Sequence, residues 1–145
     1  MKRVYVNEEW CLGCHLCEYN CAFANSKLDR MAGLKGKKIF PRIHVEGDDK
    51  ITFAVSCRHC TDPICVKSRI AGAISKEDGV VKINRDKCVG CLTCVLVCPY
   101  GALAPSESGV MQKCELCLQN LAGEPACVKG CPNKAIVYEE RGEAL

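Results

Sequence analysis

Cysteine is the side chain through which this sequence can do chemistry: fifteen occur, in four groups. The first group is Cys11-x2-Cys14-x2-Cys17-x3-Cys21. The second, Cys57-x2-Cys60-x4-Cys65, has no fourth member. The third is Cys88-x2-Cys91-x2-Cys94-x3-Cys98, with Pro99 directly after it. The fourth is Cys114-x2-Cys117-x9-Cys127-x3-Cys131, with Pro132 after it. Thiols so spaced can form disulfides, hold structural zinc or hold iron–sulfur clusters. An odd total and the strained rings that x2 spacings would close speak against disulfides. Structural zinc joins two C-x2-C knuckles from separate segments, which the fourth group alone could supply. Three close thiols with a remote fourth, as in the first and third groups, is instead the arrangement for a cubane cluster.

The third group matches the run C-x2-C-x2-C-x3-C-P of bacterial two-cluster ferredoxins at every position. Its three close cysteines predict a tight loop around one cluster, with backbone N–H groups aimed at the sulfur. The last cysteine is predicted to start a helix and serve the neighbouring cluster, with proline suited to the helix's first turn.

Nothing competes with this chemistry. The sequence contains no G-x-G-x-x-G, phosphate loop or supported Ser–His–Asp pattern. A formal charge of +3 and one basic run, Lys35-Gly36-Lys37-Lys38, do not point to nucleic acid. No apolar run has the length of a signal segment or a membrane span, so a cytoplasmic location is expected. With only 6% aromatic residues, the 145-residue chain calls for metal binding to help hold its fold.

Short elements must position the thiols. Strand-like segments are Val4-Tyr5-Val6, residues 51–55, Val80-Val81-Lys82-Ile83 and Ala135-Ile136-Val137-Tyr138. Asp78-Gly79 reads as a hairpin turn after Ala73-Ile74-Ser75, and Gly47-Asp48-Asp49 as a turn after Arg42-Ile43-His44-Val45. Helices are predicted at Leu16–Ala24, 94–100 and 115–121. The expected class is α+β: interleaved two-cluster ferredoxin-like modules with short hairpins and short helices. One module would comprise 1–24 with 106–145 and the other 50–105, joined by a connecting loop and hairpin at 25–49.

From Val4 to Glu140 the four groups resemble the iron–sulfur subunits of the dimethyl-sulfoxide-reductase type, a polyferredoxin family. The stretches from Cys88 to Tyr100 and from Gln112 to Ile136 are most similar to the carriers associated with carbon monoxide dehydrogenase. The resemblance implies that the first group pairs with the fourth and the second with the third. Cluster one would then take Cys11, Cys14, Cys17 and Cys131. Cluster two would take Cys21, Cys114, Cys117 and Cys127, and cluster three Cys57, Cys60, Cys65 and Cys98. Cluster four would take Cys88, Cys91 and Cys94 with whatever stands at position 69.

At that position the chain departs from the family, which continues the second group as C-x3-C-P. Here the sequence reads Ser68-Arg69-Ile70. Arginine has no lone pair to give to iron. The site would therefore hold a [3Fe–4S] cluster, hold a [4Fe–4S] cluster with hydroxide, Ser68 or a partner residue as fourth ligand, or stay empty. An occupied site is expected, beside three fully cysteine-ligated [4Fe–4S] clusters.

The resemblance implies an electron-transfer subunit with no catalytic residues of its own. One partner would be a catalytic oxidoreductase such as a carbon monoxide dehydrogenase or a tungsten or molybdenum enzyme. The other would be a flavin/NAD oxidoreductase, a hydrogenase or a ferredoxin. A free-standing polyferredoxin electron store and a zinc-binding interaction module are the alternatives. His15 and His59 are expected beside clusters or at the surface, His44 in solvent and Trp10 as a shield over a cluster. Tyr19, Tyr100 and Tyr138 are expected to pack. Residues 22–40 form a long cysteine-free connection, either a flexible surface loop or a partner-docking element.

Overall fold

The computed structural model describes residues 2–26, 28–68, 71–118 and 123–141. Twelve short elements follow one another: β1 (Arg3–Val6), α1 (Leu16–Ala24), β2 (His44–Gly47), β3 (Thr52–Val55), α2 (Ile64–Lys67), β4 (Ile74–Glu77), β5 (Val80–Ile83), α3 (Thr93–Val97), β6 (Ala104–Pro105), β7 (Met111–Gln112), α4 (Ala126–Gly130) and β8 (Ile136–Glu139). Single 3-10 turns lie at Glu8–Trp10 and Met31–Leu34.

The strands form two-stranded antiparallel sheets pairing β1 with β8, β2 with β3, β4 with β5, and β6 with β7. The first of these joins the two ends of the described chain, in register Val4 with Tyr138 and Val6 with Ile136. In the β4–β5 hairpin Glu77 faces Val80, leaving Asp78 and Gly79 as a two-residue loop with both φ positive, at 50° and 81°. That backbone is the one whose twist matches paired strands, and Asp-Gly supplies it with little strain. The β2–β3 turn is tied by Asp48, whose carboxylate accepts the N–H groups of Lys50 and Ile51. Those bonds hold its acid below the usual range.

The helix at Leu16–Ala24 has the predicted bounds. The other two helix expectations need correction. Helix α3 spans Thr93–Val97 and stops before Pro99, because the residue before a proline is driven to extended backbone. Cys98 ends α3 at φ −72°, ψ 116°, and Cys131 ends α4 at φ −77°, ψ 112°. Cys98 thus closes a helix where it was expected to open one, and Cys131 closes α4 in the same way. At 115–118 the chain turns without forming a helix, since Leu116 and Cys117 both have positive φ. Residues 119–121 of that expectation lie outside the described residues.

Helix α1 packs on α4, and α2 on α3. One core gathers Val4, Cys17, Cys21, Ile43, Ala54, Val80, Cys114, Leu116, Cys127, Val128 and Ile136. The other gathers Ile74, Val81, Cys94, Leu103 and Met111, with Cys65, Cys88 and Cys98 at its edge. Removing these side chains from water supplies the main drive to fold. The long connection is not free of the body: Leu34 and Ile43 are buried, and Gln112 Nε2 donates to Phe40 O at 2.8 Å. Its basic run at 35–38 is exposed. Among the described residues no helix is long and apolar enough to cross a membrane.

Candidate metal centres

A left-handed residue precedes the second cysteine of every group: Gly13 (65°), His59 (47°), Gly90 (72°) and Leu116 (60°). In the first and third groups another follows it, His15 (61°) and Leu92 (63°), each immediately before a helix. Alternating handedness turns successive N–H groups into one concavity, an anion-binding shape. Several already point at sulfur. His59 N–H donates to Cys57 Sγ and Leu116 N–H to Cys114 Sγ, both at 3.4 Å. Arg42 N–H reaches Cys21 Sγ at 3.2 Å and Met111 N–H reaches Cys88 Sγ at 3.5 Å.

Each loop is held from outside. Thr52 Oγ1 donates to Cys11 O at 3.0 Å, and the Glu18 carboxylate accepts Val45 N–H at 2.6 Å, fixing the first loop and helix on the β2–β3 hairpin. Glu115 accepts Ile83 N–H at 3.1 Å. Lys76 Nζ donates to Cys60 O and Thr61 O at 3.0 and 2.9 Å. Asn133 Nδ2 donates to Trp10 O at 2.7 Å, joining the first loop to the segment after Cys131.

The thiols meet across the chain. Cys11, Cys14, Cys17 and Cys131 line one pocket together. Cys127 has its thiol raised well above the usual value, by burial first and then by the neighbouring charges of Cys114, Cys21, Cys117 and Cys17. Burial likewise pushes Cys17 and Cys114 up to about 12. Cys65 is raised by burial and then by Cys57, with Cys98 adding to the shift. Cys88, Cys91 and Cys94 line a third pocket with Ala71 and Met111. Cys60 stands in the same loop as Cys57, half-buried. Cys14 and Cys91 are exposed, whereas Cys21, Cys114 and Cys127 are buried. Arg69 lies outside the described residues, so the fourth position of the last pocket stays a matter of sequence.

Other expected residues divide. His15 is exposed, with Nδ1 2.9 Å from Glu18 Oε2, and His44 is half-buried on β2. Trp10 is half-exposed. Tyr100 stacks under Arg58 at 4.4 Å and Tyr138 packs on the first core, but Tyr19 is exposed and does not pack as expected.

Two buried polar residues stand out: His59, expected beside a cluster or at the surface, and Lys113, which the sequence did not single out. His59 is 0% exposed: Nδ1 accepts Val81 N–H at 3.1 Å, so Nε2 carries the proton, and Nε2 has no partner among the described residues. Burial, then Lys113, Arg3 and Lys76, hold His59 down to about 3, hence neutral. Lys113 is 1% exposed, with Nζ donating to Cys114 O at 2.7 Å and, among the described residues, no carboxylate beside it. A buried cation and a buried orphan donor among clustered thiols call for anionic, sulfur-rich occupants. Iron–sulfur clusters on thiolates fit that donor set. A single ion does not: among the described residues no three His, Cys, Asp or Glu converge as its ligands would.

Comparison with known proteins agrees. Residues 49–141 match the family model of the 4Fe-4S dicluster domain, which spans the second, third and fourth cysteine groups. The chain is 38% identical over 141 residues to AegA of Escherichia coli (strain K12), covering 92% of this chain but only 21% of that protein. It is 33% identical over 149 residues to the electron transport protein HydN of Escherichia coli (strain K12), covering 92% of this chain and 85% of HydN. In fold it is similar to a chain in the active site complex BamBC of benzoyl coenzyme A reductase. The TM-score is 0.54 at 23% identity, over 97% of this chain and 80% of that one. A match through three cysteine groups, and a relative covered over most of its length, place this chain in the 4Fe-4S dicluster domain family.

Proposed function

We propose that this chain is a non-catalytic electron-transfer subunit with four cluster sites in series. Its ligand sets are Cys11, Cys14, Cys17 and Cys131; Cys21, Cys114, Cys117 and Cys127; Cys57, Cys60, Cys65 and Cys98; and Cys88, Cys91 and Cys94. The first two sets belong to one module, 1–24 with 106–145, and the last two to another, 50–105. Residues 25–49 join them; Ala54 and Val80 of the second module pack in the first core, and Met111 of the first packs in the second. An iron–sulfur cluster supplies a one-electron couple, over potentials of about −700 to +450 mV according to its surroundings.

The observation that carries this reading is serial adjacency of the thiols. Cys127 of the second set feels Cys17 of the first. Cys114 of the second feels Cys57 of the third. Cys65 and Cys98 of the third share a core with Cys88 and Cys94 of the fourth. The two ends of the series are the exposed ones, at Cys14 and Cys91. Around them lie exposed apolar side chains: Trp10, Leu12 and Leu16 at one end, Val89, Leu92 and Leu96 at the other. Such rims suit contact with a protein surface. The buried loops between them bind, space and dry the inner sites.

One end would face a catalytic oxidoreductase subunit, such as a carbon monoxide dehydrogenase or a molybdenum or tungsten enzyme. The other would face a flavin/NAD oxidoreductase, a hydrogenase or a ferredoxin. At the fourth site Arg69 leaves three thiolates, so that cluster is a [3Fe–4S] or an atypically ligated [4Fe–4S]. Iron analysis with EPR on the purified chain tests the whole reading. It should find three or four clusters, one with a distinct signal that Arg69→Cys removes. A colourless, zinc-loaded chain would overturn it. A stable stoichiometric partner on purification supports a subunit over a free electron store.

A further inference from the structure

The two cores meet where the chain crosses between them. Met111 packs in the second core and Cys114 in the first, so Gln112 and Lys113 make the passage within three peptide steps. Strand β5, in the separate β4–β5 hairpin, also crosses between the cores, with Val80 in the first and Val81 in the second. His59 accepts its hydrogen bond from Val81 N–H at this seam. The ammonium of Lys113, 1% exposed, is therefore held between the second and third ligand sets. Its charge bears on Cys114 of one, on Cys65 of the other and on His59. No carboxylate neutralises it among the described residues. Among the described residues its one hydrogen bond runs to a carbonyl, Cys114 O.

Resting on the reading above, we propose that Lys113 is a fixed positive charge shared by the second and third cluster sites, holding both reduction potentials up together. The physics is Coulombic. Reduction adds one electron, and so one negative charge, to a site. A cation at short range in a poorly screened interior stabilises that product more than the oxidised state. No bond forms or breaks at Lys113 and no proton moves. A single charge between two sites shifts both couples in one direction, so it changes the potential difference across the seam less than it changes either potential. His59 does not share this role, being uncharged in the fold. Arg42 offers the comparison: its backbone N–H and its charge both bear on Cys21, in the second set.

The test is a potentiometric titration with dithionite as reductant, followed by EPR, on the purified iron-loaded chain. Lys113→Met keeps the apolar stem and removes the charge, Lys113→Arg keeps the charge, and Arg42→Gln is the one-site comparison. With iron content unchanged, Lys113→Met should move two of the midpoint potentials negative and leave the others in place. Lys113→Arg should restore both, and Arg42→Gln should move one. Unmoved potentials in a fully loaded Lys113→Met chain, or movement of one alone, would overturn the proposal. If Lys113→Met loads no iron, loading by Lys113→Arg supports a need for the charge, and failure of both assigns Lys113 to packing and overturns it. An unmutated chain without iron would instead overturn the functional reading itself.

Discussion

Gly130 in α4 lies so close to Asn20 in α1 that a β-carbon at Gly130 would overlap the Asn20 side-chain amide. Asn20 is not free to move away at no cost, because its Nδ2 donates to Leu16 O at 2.8 Å. These helices carry Cys17, Cys21 and Cys127, and α4 ends at Cys131. Their spacing sets the first two ligand sets. Gly130→Ala should cost about 1–3 kcal/mol, as overpacking does, and should lower iron content. Thermal melting with iron analysis checks this, and a second change, Asn20→Ala, should restore much of the loss.

His59 couples the second cysteine loop to β5 through one buried hydrogen bond. His59→Ala would leave Val81 N–H unsatisfied in the interior, at about 1–3 kcal/mol. The melting temperature should fall, and hydrogen exchange at the Val81 amide should quicken before that of its neighbours.

Exposure ranks the sites for iron loss. Cys91 is open to solvent and its set has three thiols, whereas Cys21, Cys114 and Cys127 are all buried. A chelator added to the loaded chain should strip the fourth site first and the second last. EPR signals followed over the time course would reveal the order, and simultaneous loss would contradict it.

Acid should favour release at the first and second sites. Without metal, the Cys17 and Cys114 thiols sit at about 12 because of burial. A metal-bound thiolate is deprotonated. At any pH well below about 12, each of these thiols therefore takes up a proton as iron leaves. The release equilibrium should rise about tenfold per pH unit per proton taken up as pH falls. Iron retention measured from pH 9 down to pH 5 (roughly the range between neutral-thiol and acid conditions) should decline steadily and never improve.

What could be read in the sequence was local. The Asp78-Gly79 turn and the helix at Leu16–Ala24 depend on neighbouring residues alone, and the structure has both. The helix end misread was the one at Pro99. Pro99 and Pro132 fit a first turn, but their stronger effect falls on the residue before them, and Cys98 and Cys131 become extended. The turn at 115–118 was hidden because nothing in Leu116 or Cys117 announces a left-handed backbone; the close approach of the loop to its own sulfur imposes it. The β6–β7 pairing and the burial of Lys113 and His59 could not be read, since each depends on contacts between distant segments. A lysine beside a cysteine group looks like any solvated charge until the partner core closes over it.

The pairing of β1 with β8 carries a consequence for how the molecule comes into being. The residues that complete the first loop's pocket, Cys131 and its flanking strand, are made long after that loop, while the middle of the chain holds partners close at hand in α2, α3 and the β4–β5 hairpin. Nearby contacts form sooner than distant ones, and a nascent chain folds from what has already emerged. The central half can therefore take shape on the ribosome, while the amino-terminal thiols wait, unprotected, until Cys131 and β8 have been made. Oxygen or oxidant met in that interval would strike Cys11, Cys14 and Cys17 before any other group, making synthesis itself the moment of greatest vulnerability.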